Sequence, residues 1–155
     1  MPNGGANIGA GILSKSASKK KVNLREGMLK IIAENPQIAP RFANAKLEGK
    51  IQGWGLPLGS KKRPLSGNGF LLTGDAGSLI DPFTGEGIGN AMICGRFAAQ
   101  TIKKALDTKD FSANTLAQYD EDVYRYLWSE LKLSHTMQKL CKYPWLFNMV
   151  VNKAA

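Results

Sequence analysis

Apolar residues recur at helical spacing along much of the chain. Leu24, Met28, Ile31 and Ile32 predict a helix from Asn23 that ends at Asn35-Pro36. A shorter helix is expected near Ile38 to Ala45. Further on, Ile88, Ala91, Met92, Gly95, Ala98, Ala99, Ile102, Ala105 and Leu106 fall at spacings of three and four, with Asn90, Arg96, Gln100, Lys103 and Lys104 opposite. Small residues dominate that apolar side, so the helix can lie close against a sheet. A longer helix starts at Ser112 or Asn114, either a suitable N-cap, and runs to about Cys141. Its inner stripe is Leu116, Tyr119, Val123, Leu127, Leu131, Ser134, Met137 and Cys141. Asp120, Glu121 and Asp122 near its start read as a solvated acidic face, and Lys139 and Lys142 sit near its end, the order the helix dipole favours. Pro144 opens a last helix, Trp145 to Asn152.

Strand signals are shorter. Lys50 to Leu58 reads as a strand with Ile51 and Trp54 its bulky members, and Pro57 moves it to an edge. Gly69 to Thr73 is a compact apolar run running into Gly74-Asp75, as in a buried strand whose C-terminal end carries a carboxylate. The expected class is α+β, a few strands with long helices.

Length and composition narrow the picture. A chain of 155 residues suits one domain and can bury a core without metal or disulfide staples. An apolar content of 43% excludes intrinsic disorder, and no run reaches the roughly 18 apolar residues of a membrane span. No basic segment followed by a compact apolar one opens the chain, so no secretory signal is expected and the location reads as cytoplasmic. Cys94 and Cys141 are too few and too far apart for a disulfide framework or zinc knuckle, and both read as small buried hydrophobes. His135 is the only histidine, and no metal site is expected.

The net charge of +9 leaves open an anionic membrane surface or an anionic cofactor or substrate. Lys15, Lys19, Lys20 and Lys21 form one basic cluster and Lys61, Lys62 and Arg63 another, both beside Ser and Gly and so read as loops. Neither is interleaved with aromatics, and no nucleic-acid-binding signature occurs; nucleic acid is not an expected partner.

One segment carries candidate chemistry: Gly74-Asp-Ala-Gly-Ser-Leu-Ile-Asp-Pro-Phe-Thr-Gly-Glu-Gly-Ile-Gly-Asn-Ala91. It combines a strand end, an acid, a Pro-containing turn and three glycines in five positions at a helix start. Asp75 can accept hydrogen bonds from vicinal hydroxyls. Gly85, Gly87 and Gly89 let backbone N–H groups approach a ligand closely, and those groups with the helix dipole favour negative charge. Glycine there costs the helix about 1 kcal/mol each against alanine in an interior, more than a connection needing only a turn requires. The run Gly85-Glu-Gly87-Ile-Gly89 is GxGxG, not the GxGxxG of a dinucleotide fold, and no βαβ unit can be drawn around it. The pyrophosphate-binding half of a dinucleotide site is therefore not expected within these residues.

Residues 74 to 91 resemble the second FAD-binding motif of flavoproteins of the para-hydroxybenzoate hydroxylase type, and more narrowly of the geranylgeranyl reductase family. The portion Asp81-Pro-Phe-Thr-Gly-Glu86 carries the narrower resemblance. Ala6-Asn-Ile-Gly-Ala-Gly11 resembles the close of that family's substrate-domain motif, and Gly53-Trp-Gly-Leu-Pro-Leu-Gly59 and the helical tail also look familiar. The resemblance implies the C-terminal part of an FAD/NAD(P)-binding flavoprotein, its N-terminal Rossmann half missing, hence a truncated chain. It divides the chain into a partial substrate segment at 1–66, an FAD-binding strand–turn–helix at 67–107 and a helical segment at 108–155.

By the same resemblance, Asp75 binds the ribityl hydroxyls, Pro82 lies near the flavin's reactive edge, and Gly85, Gly87 and Ile88 offer backbone N–H to the pyrimidine end, with Gly74 and Gly89 as further cofactor-binding candidates. Thr84 is open between an N-cap and a flavin ligand, and Glu86 between a dipole-stabilising acid and a proton donor. Trp54, Leu56 and Pro57 are candidates for an isoprenoid channel, with core packing as the other reading. Trp128, Trp145, Phe147 and Met149 are open between core packing, channel cover and peripheral membrane contact. The implied partners are FAD, an isoprenoid or prenyl-lipid substrate, and NAD(P)H or another reductant. Two other readings stand beside the reductase: a flavin hydroxylase with the same motif, and a non-catalytic basic module.

Overall fold

A computed structural model describes residues 4–154, which fall into two compact units, one ending at Gly53 and the other beginning at Trp54. In the first, α1 (Ser14–Lys20) and α2 (Leu24–Glu34) precede a single 3-10 turn at Ala39–Phe42. The basic segment read as a loop is thus helical, with Lys19 and Lys20 in its last turn, where cations suit the dipole, and Lys21 closing it at φ 49°. The helix expected from Asn23 forms as read: the Asn23 side chain accepts from Glu26 N–H at 3.3 Å, and the helix stops before Pro36. The helix expected near Ile38 to Ala45 is only that short 3-10 turn, opened by Pro40 near its start.

The second unit holds the core. Strands β1 (Ser66–Gly67) and β2 (Phe70–Leu71) pair antiparallel around Asn68-Gly69, with Gly69 at φ +76° where a side chain would be strained. A 3-10 turn at Gly74–Gly77 follows, then α3 (Ile88–Thr108), α4 (Ala113–Leu140) and α5 (Pro144–Ala154). Leu65, Leu79, Cys94, Ala98, Tyr119, Val123, Leu127 and Leu131 close the core between the hairpin and the α3–α4 pair. Helix α4 starts where expected: the Ser112 hydroxyl accepts from Thr115 N–H at 3.4 Å, and Asn68 Oδ1 accepts from Ala113 N–H at 2.6 Å.

Several expectations are corrected. Lys50 to Leu58 is not a strand. Only Leu58 bridges, in parallel to Ile80, with Gly59 N–H donating to Ile80 O at 2.7 Å. Gly53, Gly55 and Pro57 explain this, two residues of high unfolded entropy and one with no N–H to give a ladder. Trp54 is 92% exposed, so it does not pack in the core.

Helix α3 packs through Ala98 and Ala105 of the face read in sequence but is turned away from the rest of it, towards Cys94 and Thr101. It buries Cys94, Ala98, Thr101 and Ala105, while Ile88 is 78% and Met92 73% exposed. Cys141 is exposed, unlike Cys94. Asp120 is not simply a solvated acid, because its Oδ1 accepts from Leu65 N–H at 2.7 Å and holds the chain entering β1. Trp128 packs against the core with its ring edge-on to Tyr124, whereas Trp145 and Met149 are exposed. Among the described residues no helix is long and apolar enough to cross a membrane.

Candidate functional site

The turn Gly74–Gly77 brings Asp75 against the tip of α3. Gly74 sits at φ +51°, and a Cβ there would lie 2.7 Å from Ala91 Cβ, so bare backbone lets this turn meet the helix's first turn. Ser78 follows in the left-handed region at φ 55° and donates its N–H to Asp75 O at 2.9 Å. The result is close: an added Cβ on Gly87, the residue before α3, would stand 3.1 Å from Asp75 Oδ1 and 3.1 Å from Ile80 Cγ1. The Asp75 side chain is exposed, and no hydrogen bond among the described residues uses its carboxylate. A free carboxylate thus borders a helix tip with no side chain on it.

The loop between Ile80 and Gly87 is built on Asp81. Asp81 is buried as a residue (8% exposed), and its carboxylate accepts at Oδ1 from Phe83 N–H at 2.9 Å, Thr84 N–H at 2.8 Å and the Thr84 hydroxyl at 3.0 Å. Its backbone closes the same loop, its N–H donating to Glu86 O at 2.7 Å and its O accepting from Gly85 N–H at 3.0 Å. Burial pushes the Asp81 carboxyl up; the hydrogen bonds from Ser134, Thr84 and Phe83 outweigh it and hold the group below its ordinary value. The motif read from sequence assigns Asp81 no role of its own. An Asp accepting from the N–H groups two and three residues on is a local turn pattern, and Asp81-Pro-Phe-Thr84 carries that signal in the sequence.

The motif's other residues divide by function. Thr84 braces the loop, its hydroxyl also accepting from Glu86 N–H at 3.2 Å. Glu86 reaches over the helix start, Oε1 accepting from Gly89 N–H at 2.7 Å, which favours the reading of an acid on the helix dipole. The N–H of Gly85 is taken by Asp81 O, whereas no hydrogen bond among the described residues uses those of Gly87 or Ile88. Among the described residues, these two backbone donors and that of Asn90 in the first turn remain free at the positive end of α3.

Helix α4 meets the loop from the other side. Gln138 Nε2 donates to Pro82 O, and Pro82 is buried. Asn90 Nδ2 donates to Leu79 O at 2.7 Å, tying α3 to the same segment. A cleft of about 370 Å³ opens between loop and α4, lined among others by Asp81, Thr84, Glu86, Glu130 and Ser134. Phe147 of α5 lies against Phe83, ring centroids 6.4 Å apart. Leu56 comes up to the loop, its Cδ1 4.0 Å from where a Cβ on Gly85 would be; Pro57 is half-buried, and Trp54 stands free in solvent. His135 is half-buried, and burial followed by Lys139 and Lys142 holds its pKa below the ordinary value. No group of three His, Cys, Asp or Glu gathers as a metal site among the described residues.

Comparison with known proteins agrees with the motif. A digeranylgeranylglycerophospholipid reductase of Methanococcus vannielii is 32% identical over 139 residues, 86% of this chain and 34% of that protein. One of Methanocaldococcus jannaschii is 34% identical over 140 residues, 87% of this chain and 34% of that protein. This chain is homologous to the geranylgeranyl reductases. A digeranylgeranylglycerophospholipid reductase 2 of Methanococcoides burtonii adds 39% identity over 128 residues, 81% of this chain and 29% of its own length. The chain spans about a third of the length of these curated reductases. No protein-family model and no solved structure matches it.

Proposed function

We propose that this chain holds the isoalloxazine end of FAD in an oxidoreductase that reduces carbon–carbon double bonds of an isoprenoid lipid. One observation carries the reading: the free Asp75 carboxylate stands against Gly87, beside the unpaired N–H groups of Gly87 and Ile88. That juxtaposition suits a ligand with vicinal hydroxyls next to an electron-rich ring edge. A Cβ at Gly87 would fill the cradle, so the absence of a side chain fits the group.

Bound and reduced, FAD supplies the hydride for such a reaction. The chain's own residues bind and orient. Asp75 accepts hydrogen bonds from the ribityl hydroxyls. The Gly87 and Ile88 N–H groups, at the positive end of α3, stabilise negative charge at the pyrimidine edge, which favours the reduced anion. Leu56 offers apolar surface for a prenyl chain beside the loop, and Trp54 two residues earlier in the chain is exposed. The reductase names of the homologues support a reductase over a hydroxylase on this motif, with NAD(P)H or another reductant as electron source.

The test is flavin binding by the purified chain, followed by flavin fluorescence and absorbance, beside Asp75→Ala. The expected result is saturable binding that Asp75→Ala weakens about tenfold, the loss of one or two hydrogen bonds to a charged acceptor. A chain that binds no flavin at millimolar concentration, or binds it equally well without the carboxylate, overturns the reading. For substrate, mass analysis of a geranylgeranyl lipid incubated with dithionite-reduced protein separates the chemistries: added hydrogen pairs support reduction, and an added oxygen supports hydroxylation.

A further inference from the structure

The direction in which Gly87 N–H points is set by the Asp81 loop. The Glu86 carbonyl and the Gly87 N–H belong to one planar trans peptide unit, so they point opposite ways. Asp81 N–H captures that carbonyl at 2.7 Å and therefore turns Gly87 N–H away from the loop. Three more bonds fix the loop's own shape, all to Asp81 Oδ1: from Phe83 N–H, Thr84 N–H and the Thr84 hydroxyl. The loop is also held from α4, where Gln138 grips the Pro82 carbonyl and Ser134, one helical turn earlier, faces the Asp81 carboxylate across the shared cleft. A loop needed only to connect Ile80 to α3 has no use for a carboxylate with this many donors, or for a strap from another helix.

We propose that Asp81 is a positioning residue for the flavin site: it fixes the 82–86 loop so that Gly87 N–H is presented outward beside Asp75, and Gln138 of α4 holds the loop in that state. The proposal rests on the flavin reading for its ligand, but the loop geometry stands without it. Asp81 touches no reacting atom. It acts through the peptide between Glu86 and Gly87.

Two variants separate positioning from bulk stability. Asp81→Asn keeps an acceptor at Oδ1; Asp81→Ala removes it. In the flavin-free chain, nuclear magnetic resonance of 15N-labelled protein reads the amides of Phe83, Thr84 and Gly87 directly. Asp81→Ala is expected to shift all three and speed exchange at Phe83 and Thr84, while core amides such as those of Val123 and Leu127 keep their protection. FAD affinity should fall about tenfold in Asp81→Ala and recover to within about threefold in Asp81→Asn, a rescue that a lost charge alone does not allow.

Gln138→Ala, which removes the strap from α4, serves if Asp81→Ala fails to fold: it should move the Gly87 amide and weaken flavin binding with α4 intact. Unchanged Phe83, Thr84 and Gly87 amides in the folded variant overturn the positioning role. Equal loss in Asp81→Asn and Asp81→Ala overturns it too. If the wild-type chain binds no flavin, the functional reading fails, and the amide shifts alone decide whether the loop is set by Asp81.

Discussion

The Tyr119 hydroxyl donates to the Leu72 carbonyl at 2.8 Å, from the buried face of α4 to the end of the hairpin, two residues before Gly74. Tyr119 is fully buried, and burial, followed by the neighbouring Cys94 and Asp120, pushes its phenol far above the usual range. With Asp120 holding Leu65 N–H and the Tyr124 hydroxyl donating to Arg63 O at 2.7 Å, α4 pins the whole segment that delivers Asp75. Tyr119→Phe keeps the ring and leaves the Leu72 carbonyl without its donor. The expected cost is about 1–2 kcal/mol, read from the midpoint of urea unfolding at constant slope. A variant as stable as wild type would mean that water replaces the bond and that the hairpin end is not held from α4.

Acid should unfold the chain partly through Asp81. Its folded pKa is depressed below the ordinary 3.8, because hydrogen bonds to the charged form outweigh burial. A depressed carboxylate contributes stability that is complete above the unfolded pKa and is lost as pH falls through the folded one. Burial raises it, and the hydrogen bonds from Ser134, Thr84 and Phe83 bring it down. Asp81→Asn should therefore flatten the stability–pH curve below about pH 4 while leaving its shape near neutrality unchanged. Parallel acid limbs in the two proteins would show that other carboxylates govern acid unfolding.

Gly87→Ala tests the bare helix tip. Gly87 has φ −138°, so alanine meets no backbone strain. Its Cβ would press at 3.1 Å on both Asp75 Oδ1 and Ile80 Cγ1, and the exposed carboxylate is the partner free to swing away. Stability should change by less than about 1 kcal/mol, the usual difference between poor and better N-terminal caps. Flavin affinity should fall about tenfold, since the methyl group displaces Asp75 and stands over the free donors. Measured together, unfolding midpoint and flavin affinity must part company; if both hold, the tip is not a ligand contact.

The long helices were legible because their signals are local: Asn23 and Ser112 cap as their side chains predict, and Pro36 stops α2. The strand read at Lys50 to Leu58 does not form because bulky residues such as Ile51 and Trp54 say nothing about a partner, and glycines with a proline leave only Leu58 to pair. At the site, sequence identified the segment but not its internal division of labour. Asp75 and Gly87 were recognised as ligand-type residues, yet which N–H groups stay free depends on where the Asp81 and Glu86 oxygens go. Ser134 and Gln138 lie more than forty residues from the motif and enter the site only through the packing of α4 against the loop.

Helix α3 carries the last prediction, and it concerns which face is the core. A period of 3.6 locates apolar stripes but cannot choose between two of them, and this helix has apolar residues on both sides. The burial goes to Cys94, Ala98, Thr101 and Ala105, where small side chains let α4 approach, and the larger Ile88, Met92, Ile102 and Leu106 are left outside. Met92→Gln and Leu106→Gln should then change stability by no more than about 0.5 kcal/mol, as exposed substitutions do. Ala105→Gln places a long polar side chain in a fully buried position and should cost about 3 kcal/mol by overpacking and an unsatisfied amide together. Denaturant unfolding of the three variants decides the matter. Ala98 and Ala105 belong to the stripe read from the sequence as well, so it is Leu106 that decides: if Leu106→Gln proves as damaging as Ala105→Gln, the larger members of that stripe are packed too and the turn towards Cys94 and Thr101 is wrong.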